Sequence, residues 1–315
     1  MSKVLVTGAG GQLGVEIING LEQQFGQGNI IASDVKEPGE NLANVPFEFV
    51  DVMNPDRVLE VVKKHKITEI YHLAALLSAT AEKNIDLARK LNIGSLHTVL
   101  NIAKDNYIKK VFWPSSIAVF GPDAKTDGTP QSSACNPTTV YGISKVSGEL
   151  WCSYYYHKFG VDVRSVRYPG LIGYKSMPGG GTTDYAVDIY HKAIKGEPFD
   201  CFLNENSRLP MMYMNDAVKA TLDLMNAPSS KLTVRTSYNI AAISFTPAEI
   251  AASIRRKFPR FKINYNPDYR QEIADSWPDI IDDSVARNDW DWNPQFDLDT
   301  MTDHILDNLA EFWKY

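Results

Sequence analysis

The stretch Lys3-Val4-Leu5-Val6-Thr7-Gly8-Ala9-Gly10-Gly11-Gln12-Leu13-Gly14 determines how the rest of this chain is interpreted. Its first five residues form a short, mostly β-branched run, which is typical of a buried parallel strand. Glycines at positions 8, 11 and 14 follow, and the next apolar residues recur at helical spacing. A glycine-rich turn between a strand and a helix is where a dinucleotide binds. A plain strand-to-helix turn is the structural alternative.

Glycine suits a dinucleotide site for a physical reason. A backbone without side chains can approach a pyrophosphate closely, and a helix N-terminus offers free N–H groups and the positive end of its dipole. The sequence therefore predicts a cofactor-binding loop at this position. The contacts expected from it are Gly8, Gly11, Gln12, Leu13 and Gly14.

A second predicted strand, residues 29–33, ends in Asp34, which lies 20 residues beyond Gly14. An acid at this position binds the adenosine ribose hydroxyls. Its carboxylate would repel a 2′-phosphate, so the spacing favours NAD over NADP. Lys36 lies close enough in the sequence that NADP stays open as the cofactor. The structural alternative for Asp34 is a loop aspartate at the end of a strand, without a role in binding.

Strand-like and helical stretches alternate through the first half of the chain. This alternation predicts an α/β fold, namely a Rossmann-type doubly wound parallel sheet with a smaller C-terminal lobe. Further strands are expected over 47–50, 69–75, 111–114 and 161–168, and helices over 56–64, 81–105 and 141–159. The third strand leads to Asp51 and Val52, and the fourth ends at Leu73, Ala74 and Ala75, where small side chains leave room for a cofactor.

The stretch Tyr141-Gly142-Ile143-Ser144-Lys145 places a tyrosine and a lysine four residues apart. In a helix this spacing puts both side chains on one face. A neighbouring ammonium is expected to lower the pKa of the phenol from its ordinary value of about 10, as a base near neutral pH requires. Such pairs also occur by chance in many helices.

A serine pair, Ser115-Ser116, follows the apolar run from Val111 to Pro114. Ligands in open α/β sheets bind at the carboxyl ends of strands, although two serines there are equally consistent with a loop cap. A cofactor loop, a hydroxyl and a Tyr/Lys pair, in this order, indicate a hydride-transfer enzyme. His72 lies inside an apolar run, and we interpret it as a core histidine.

Composition excludes several functional classes. The chain has 315 residues, 44% hydrophobic and 22% charged, and its net charge of −6 argues against a broad nucleic-acid surface. Its three cysteines and six histidines show no metal-ligand spacing. No apolar run approaches the ~20 residues of a membrane span, and no long apolar leader is present. We therefore expect a soluble, cytoplasmic protein.

After Pro169 the alternation ends. Residues 175–186 form a glycine-rich stretch with two threonines that leads into a helix, and such a loop can bind a small carboxylate. A mobile surface loop is the alternative. We predict a cofactor domain over residues 1–170, with returns near 211–242, and a smaller substrate lobe from 171–210 and 243–315.

The chain resembles the extended short-chain dehydrogenase/reductase superfamily along nearly its whole length. The matching motifs are Thr7-Gly8-x-x-Gly11-x-x-Gly14, Leu73-Ala74-Ala75, Ser115-Ser116-x-x-Val119-Phe120-Gly121 and Tyr141-x-x-x-Lys145. This resemblance implies a catalytic set of Ser116, Tyr141 and Lys145. It also implies that Pro169 lies beside the nicotinamide and that Asn92 belongs to a helix kink. The full set of implied cofactor residues is Gly8, Gly11, Gln12, Leu13, Gly14, Asp34, Asp51, Val52, Leu73, Ala74, Ala75, Asn92, Tyr141, Lys145 and Pro169.

Most extended members, such as UDP-galactose 4-epimerase, act on nucleotide sugars, and the chain departs from their pattern. Where they carry Arg-Tyr-Phe-Asn, this chain has Arg167-Tyr168-Pro169-Gly170. Where they carry Arg-Asp-Tyr-Ile-His-Val, it has Leu209-Pro210-Met211-Met212-Tyr213-Met214, with Arg208 adjacent. A diphosphate would therefore lack charge-assisted partners.

The stretch from Pro178 to Ala186, with Leu76-Leu77-Ser78-Ala79 and Ser276-Trp277-Pro278, resembles the epimerase-like L-threonine 3-dehydrogenases. The resemblance implies oxidation of the 3-hydroxyl of L-threonine to 2-amino-3-oxobutanoate by NAD⁺, without a metal. Tyr141 would be the base, and Lys145 would lower its pKa and bind the nicotinamide ribose. The implied substrate contacts are Ser78, Ser116, Tyr141, Gly180, Thr182, Thr183 and, as a lid or wall, Trp277.

The same resemblance implies a homodimer, in which the helices around 84–104 and 141–159 form a four-helix seam. Two other functions stay open. One is an NAD-dependent nucleotide-sugar epimerase or dehydratase with the same catalytic set. The other is a non-catalytic NAD-sensing protein, because a fold alone does not fix a function.

Overall fold

The fold comes from a computed structural model that describes residues 2–124, 127–175 and 181–312. The predicted substrate contact Gly180 lies outside these residues. The strands in chain order are β1 (Val4–Thr7), β2 (Ile30–Asp34), β3 (Phe47–Phe49), β4 (Glu69–His72), β5 (Lys110–Phe112), β6 (Ser115–Ser116), β7 (Val163–Arg164), β8 (Val166–Tyr168), β9 (Gly170–Ile172), β10 (Phe199–Cys201), β11 (Leu209–Tyr213), β12 (Tyr238–Asn239), β13 (Ile243–Phe245) and β14 (Ile263–Tyr265).

The helices surround the strands. They are α1 (Gln12–Phe25), α2 (Pro55–His65), α3 (Ser78–Lys83), α4 (Ile85–Ala88), α5 (Ser95–Lys104), α6 (Val140–Phe159), α7 (Tyr185–Lys195), α8 (Met214–Asn226), α9 (Pro247–Arg255), α10 (Arg270–Asp275), α11 (Ser284–Trp290) and α12 (Leu298–Phe312). Among the described residues, no helix combines the length and the apolar character that crossing a bilayer requires.

The main sheet has six strands in the order β3-β2-β1-β4-β5-β7, and every pairing in it is parallel. The chain winds outward from β1 to β3 and then returns to β4 on the other side of β1. This is a Rossmann-type fold and confirms the predicted fold class. The carboxyl ends of β1 and β4 therefore border the crevice in which such sheets bind ligands.

Alternation of side chains along β1 builds the core on both faces of this sheet. Val4 and Val6 pack in one apolar cluster with Ile17 of α1, whereas Leu5 packs in another with Val58 of α2. Successive side chains of a strand point to opposite faces. Because helices cover both faces, the strand is buried at every position instead of at every second one.

Two predicted elements are divided in the structure. The continuous helix expected over 81–105 is wrong, because the non-helical Asn84 separates α3 from α4. A π-helical turn, Arg89–Gly94, then joins α4 to α5 without a gap. The Asn84 side chain accepts a hydrogen bond from Leu87 N at 3.2 Å and so begins α4. The single strand expected over 161–168 is also wrong, since β7 ends at Arg164 and β8 leaves the main sheet.

Strand β8 belongs to a second sheet with the order β12-β8-β6. Its register pairs Ser115 with Arg167 and Ser116 with Tyr168. The serine pair therefore lies beside the strand that leads to Pro169. A third apolar cluster collects α7, α9 and α12, and it includes Tyr185, Ile250 and Met301.

Candidate active site

The glycine loop packs tightly against the end of β4. Gly8 has a φ of 70°, which favours glycine, and a Cβ placed on it would lie 2.7 Å from Ala74 N. A Cβ on Gly14 would lie 2.6 Å from Gly8 O. Helix α1 begins at Gln12, and no side chain caps its first turn. Backbone donors at this helix end are therefore available to an anionic group.

Asp34 lies beside this loop, as the sequence spacing predicts. Its Oδ2 accepts a hydrogen bond from Gly10 N at 3.1 Å, and its Oδ1 accepts from Val35 N at 2.8 Å and Lys36 N at 3.2 Å. These bonds hold the carboxylate at the carboxyl end of β2, next to β1. The pocket thus pairs backbone donors for a phosphate with an acceptor for hydroxyl groups, which fits NAD.

The other predicted cofactor residues lie at neighbouring strand ends. Leu73 N donates to Thr7 O at 3.1 Å, which holds the chain after β4 alongside β1. Asp51 is exposed and its Oδ1 accepts from Met53 N at 2.9 Å, whereas Val52 is buried. Direct contacts of these residues with a cofactor stay predictions.

Ser116, Tyr141 and Lys145 meet at one place. Thr139 caps α6 by accepting from Gly142 N at 3.1 Å, so Tyr141 lies in the first turn of the helix and Lys145 one turn later. The Ser116 hydroxyl interacts with the Tyr141 phenol, and this interaction lowers the pKa of the phenol. The Lys145 Nζ lies 5.4 Å from the centre of the Tyr141 ring. The structure therefore brings together the three residues that the motifs indicated.

Burial controls the titration of both Tyr141 and Lys145. It raises the pKa of Tyr141 to about 12, and the hydrogen bond with Ser116 acts in the opposite direction. It lowers the pKa of Lys145 to about 7, against the opposing effect of the nearby Cys152 and Glu149. Both shifts arise because a low-dielectric surrounding disfavours the charged form.

The expectation that Lys145 holds the pKa of Tyr141 below its ordinary value is therefore wrong for the polypeptide by itself. The Lys145 ammonium donates its hydrogen bond to Pro114 O at 2.6 Å and lies 4.5 Å from the centre of the Trp113 ring. It faces the strand end as well as the phenol. Desolvation outweighs its attraction for the phenolate.

Asn92 lies in the π-helical turn and links three elements. Its Nδ2 donates to Leu76 O at 3.0 Å and to Ser144 Oγ at 3.2 Å, and its Oδ1 accepts from Leu76 N at 2.8 Å. The predicted helix kink at Asn92 is thus present. The residue holds the segment that leads to Ser78 against α6, and a direct contact with the cofactor stays a prediction.

The predicted substrate contacts lie on several elements. Ser78 is half-buried at the start of α3, and Thr182 is buried just before α7. Thr183 lies against the residue after Pro169, because a Cβ on Gly170 would be 2.7 Å from Thr183 Cγ2. Trp277 is buried in the apolar cluster that borders Tyr141. Their contacts with a substrate stay predictions.

His72 is a core histidine, as interpreted from the sequence. Its Nδ1 is hydrogen-bonded to Thr7 Oγ1 at 2.8 Å and its Nε2 to Ser95 Oγ at 2.8 Å. Burial lowers its pKa to about 3, so the ring is neutral. It connects β1, β4 and α5 behind the crevice.

The sequence reasoning missed a buried charged pair behind the site. Arg167 on β8 and Glu149 on α6 form an ion pair with an Nη2–Oε2 distance of 2.7 Å. Two signals for it were available in the sequence. Arg167 interrupts an apolar strand, and Glu149 follows Lys145 by four residues on the same face of the helix.

A family model, the NAD dependent epimerase/dehydratase family, matches residues 4–241, which include the glycine loop and the Ser116, Tyr141 and Lys145 positions. The chain belongs to the NAD dependent epimerase/dehydratase family. The glycine loop supplies backbone donors and Asp34 supplies a carboxylate, and both suit the NAD cofactor of this family.

Relatives in this family cover nearly the whole chain. The mitochondrial L-threonine 3-dehydrogenase of Sus scrofa is 46% identical over 96% of this chain and 82% of that protein. The holo structure of a GalE-like L-threonine dehydrogenase from Cupriavidus necator is 54% identical, covers 98% of this chain and 99% of that one, and has a TM-score of 0.96. A monomeric L-threonine 3-dehydrogenase from a metagenome is 47% identical, covers 98% and 99%, and has a TM-score of 0.94.

Proposed function

We propose that this protein is an NAD-dependent L-threonine 3-dehydrogenase that oxidises the 3-hydroxyl of L-threonine to 2-amino-3-oxobutanoate. The observation that carries the proposal is the convergence of Ser116, Tyr141 and Lys145 where β6 meets the first turns of α6. The identities of 46% and 54% to L-threonine dehydrogenases over nearly the whole chain support it.

The residues that would hold NAD are those of the crevice. Backbone N–H groups at the start of α1 would bind the pyrophosphate, and Asp34 would accept hydrogen bonds from the adenosine ribose. NAD⁺, when bound, supplies an acceptor for the hydride and a positive charge that favours a phenolate. Lys145 would bind the nicotinamide ribose.

Tyr141 is proposed to take the proton of the threonine 3-hydroxyl at its phenolate oxygen. The pKa of about 12 that burial gives this phenol means that the phenolate requires added positive charge near the site. Lys145 supplies one such charge when it is protonated. Ser116 is proposed to hydrogen-bond the reacting oxygen and so fix its position next to Tyr141.

The substrate side is proposed to hold a small amino acid. Ser78, Thr182 and Thr183 would offer hydroxyl groups to it, and Trp277 would form an apolar wall. A diphosphate is less well supported as a ligand. Arg208, which is adjacent to the stretch that replaces the arginine motif of nucleotide-sugar enzymes, already donates to Ser244 O at 2.8 Å and to Glu249 Oε1 at 2.6 Å.

The proposal includes two lobes, with residues 171–210 and 243–315 forming the smaller one. The apolar cluster that collects α7, α9 and α12 supports this division.

A cytoplasmic location is also part of the proposal. The three cysteines, Cys135, Cys152 and Cys201, are free thiols, in keeping with a reducing compartment.

A homodimer through α5 and α6 completes the proposal. The outer face of α6 exposes Ile143, Leu150 and Tyr154, which are 55%, 62% and 48% exposed and share one side of the helix. Trp151 lies edge-on to His97 of α5, with ring centres 4.4 Å apart. A contiguous exposed apolar patch of this kind is typical of a protein–protein contact.

NADH absorbance tests the activity. The purified protein would be mixed with NAD⁺, or with NADP⁺ for comparison, and in turn with L-threonine, D-threonine, L-allo-threonine and L-serine. The proposal predicts a strong signal with L-threonine and NAD⁺. No signal with any amino acid, together with turnover of a UDP-sugar, would overturn it in favour of a nucleotide-sugar enzyme.

A further inference from the structure

The two serines of the Ser115-Ser116 pair point to different surroundings. Ser116 interacts with Tyr141, within the proposed site, and its hydroxyl accepts a hydrogen bond from Ala118 N at 3.2 Å. Ser115 is only 2% exposed, and its hydroxyl donates to Glu149 Oε1 at 2.6 Å. The first serine therefore faces the protein interior, one residue away from the proposed catalytic hydroxyl.

Glu149 in turn forms a two-point contact with Arg167. Arg167 Nε donates to Oε1 at 2.9 Å and Nη2 donates to Oε2 at 2.7 Å, with both residues less than 5% exposed. Planar bidentate pairs of this kind fix orientation as well as distance. Arg167 Nη1 also donates to Asn239 Oδ1 at 3.0 Å, which extends the contact into β12.

This pair connects every element that carries the Ser/Tyr/Lys set. Glu149 follows Lys145 by one helical turn on the buried face of α6, and Arg167 precedes Pro169 by two residues. Ser115 joins the pair to β6. The three contacts therefore connect β6, which carries Ser116, to α6, which carries Tyr141.

The energetics also favour an orienting role. Taking two charges out of water costs several kcal/mol each, and replacing such a pair by apolar residues often leaves stability unchanged or raises it. Stability alone therefore gives little reason for a buried carboxylate and guanidinium here. Placement of reacting groups is a stronger reason, because an error of about 1 Å can cost a factor of about 100 in rate.

We propose that Ser115, Glu149 and Arg167 are positioning residues that set the distance between the Ser116 and Tyr141 hydroxyl groups. The kinetic part of this inference rests on the proposed function. The geometric part does not, since it concerns the distance between two side chains of this chain.

The first test is a crystal structure of the Ser115→Ala variant with NAD⁺. This change removes one hydroxyl and leaves the ion pair in place, so the protein should fold. We expect the Ser116 hydroxyl to move by more than about 0.5 Å relative to the Tyr141 phenol, which exceeds the tolerance of a productive site. An unchanged distance between the two hydroxyl groups would overturn the inference, whatever the substrate proves to be.

The second test is a double-mutant cycle with Ser116→Ala. Ser115→Ala should lower kcat about tenfold while the KM values for L-threonine and NAD⁺ stay within about threefold, as expected when a supporting contact is lost. In a Ser116→Ala background the same change should lower kcat less than about twofold, because the group it positions is already absent. Equal losses in both backgrounds would show that the effect does not act through Ser116.

Glu149→Gln should lower kcat more than Ser115→Ala does, and Asp162→Asn is its matched control. Asp162 forms a similar two-point pair with buried Arg164, at 2.8 Å from Nη2 and 3.0 Å from Nε, but has no contact with Ser115. Both variants should lower Tm, whereas only Glu149→Gln should lower kcat, about 100-fold by the same placement argument. Equal kcat losses in the two variants would contradict a positioning role.

An inactive wild-type protein with L-threonine would count against the proposed function. The crystallographic test would still decide the positioning inference. The two failures are therefore distinguishable.

Discussion

At the scale of single residues, burial governs the chemistry of the site. Burial favours the neutral form of both Tyr141 and Lys145. It raises the pKa of Tyr141 to about 12 and lowers the pKa of Lys145 to about 7. A base with a raised pKa is strong once ionised but is rarely ionised at neutral pH. As the proposed base, Tyr141 would therefore need added positive charge near its phenol to ionise at neutral pH.

A pH profile tests this dependence. Because the deprotonated phenol is the proposed base and its pKa is raised, kcat/KM for L-threonine at saturating NAD⁺ should rise with pH by up to about tenfold per unit below about pH 7. Above that pH the rise should flatten, because Lys145, with a pKa of about 7, loses the charge that favours the phenolate. Lys145→Met removes one positive charge and should move the rising limb to higher pH. Initial rates of NADH formation in buffers of constant ionic strength measure the pH profiles of the wild type and of Lys145→Met. A wild-type profile that falls with pH would contradict the assignment.

A second residue-scale prediction concerns Asp34. Asp34→Ala removes the carboxylate that Gly10 N holds at 3.1 Å and that would accept the ribose hydroxyls. Hydrogen bonds to a charged group are worth about 1.5–3 kcal/mol, so the KM for NAD⁺ should rise about 10- to 100-fold, with kcat at saturating NAD⁺ largely kept. Asp56→Ala is the comparison and should leave this KM unchanged, because Asp56 is exposed in the first turn of α2 and is not among the predicted cofactor residues. An unchanged KM for NAD⁺ in Asp34→Ala would reject the ribose role.

Residue identities and spacing were sufficient to predict which groups meet, because Tyr141 and Lys145 share a helix face at a separation of four. The direction in which the pKa of Tyr141 shifts was not predictable from spacing in the same way. Burial depends on chain segments far from the motif, and the partner of Lys145, Pro114 O, lies 31 positions away. Glu149 and Arg167 escaped notice for the same reason, since their contact spans 18 positions.

At the scale of secondary-structure elements, local pattern predicted the sheet better than the helices. The apolar runs from Val4 to Thr7 and from Glu69 to His72 became neighbouring parallel strands. The stretch over 81–105 became three helices and a π-helical turn, because the Asn84 and Asn92 side chains bond to main-chain groups. Such side-chain bonds compete with helical ones and are not evident from hydrophobic periodicity.

The glycine loop gives a prediction at this scale. Gly14→Ala places a methyl group 2.6 Å from Gly8 O and 2.7 Å from Ala9 O, so the loop must shift. We expect a loss of about 1–3 kcal/mol in the free energy of unfolding, as for overpacked sites, and a marked rise in the KM for NAD⁺. Chemical denaturation and NAD⁺-dependent rates measure the two effects.

Gly94→Ala is the matched control for that change. Gly94 is exposed, has the helical φ of −62° and ψ of −43°, and a Cβ on it would meet no atom within 4 Å. Alanine is favoured over glycine inside helices by about 0.5–1 kcal/mol, so this variant should be as stable as the wild type or more so. Similar destabilisation of both variants would show that the tight contact at Gly14 is not the cause.

At the scale of the whole molecule, the outer face of α6 presents an apolar patch and the inner face carries the site. Because Tyr141 and Lys145 lie on the same helix as Leu150 and Tyr154, a partner packed on α6 would also hold the catalytic helix in place. One similar structure is described as monomeric, so the oligomeric state is a real test for this chain.

Leu150→Glu tests the proposed dimer. Leu150 is 62% exposed, and a charge there would be buried against the partner, so the variant should be monomeric while the wild type is dimeric. Light scattering after size-exclusion chromatography measures the mass of each. Tyr269→Glu, at a residue 63% exposed on α10's N-terminal side, is the control and should stay dimeric. A monomeric wild type would reject the seam.

The most direct test of the central claim compares the wild type with Tyr141→Phe in the conversion of L-threonine and NAD⁺. The proposed mechanism predicts that the wild type forms NADH and that the variant loses most of kcat, at least about 100-fold for removal of a general base. NAD⁺ binding, measured by calorimetry, should stay within about threefold. Near-normal turnover by Tyr141→Phe would contradict the assignment of Tyr141 as the base.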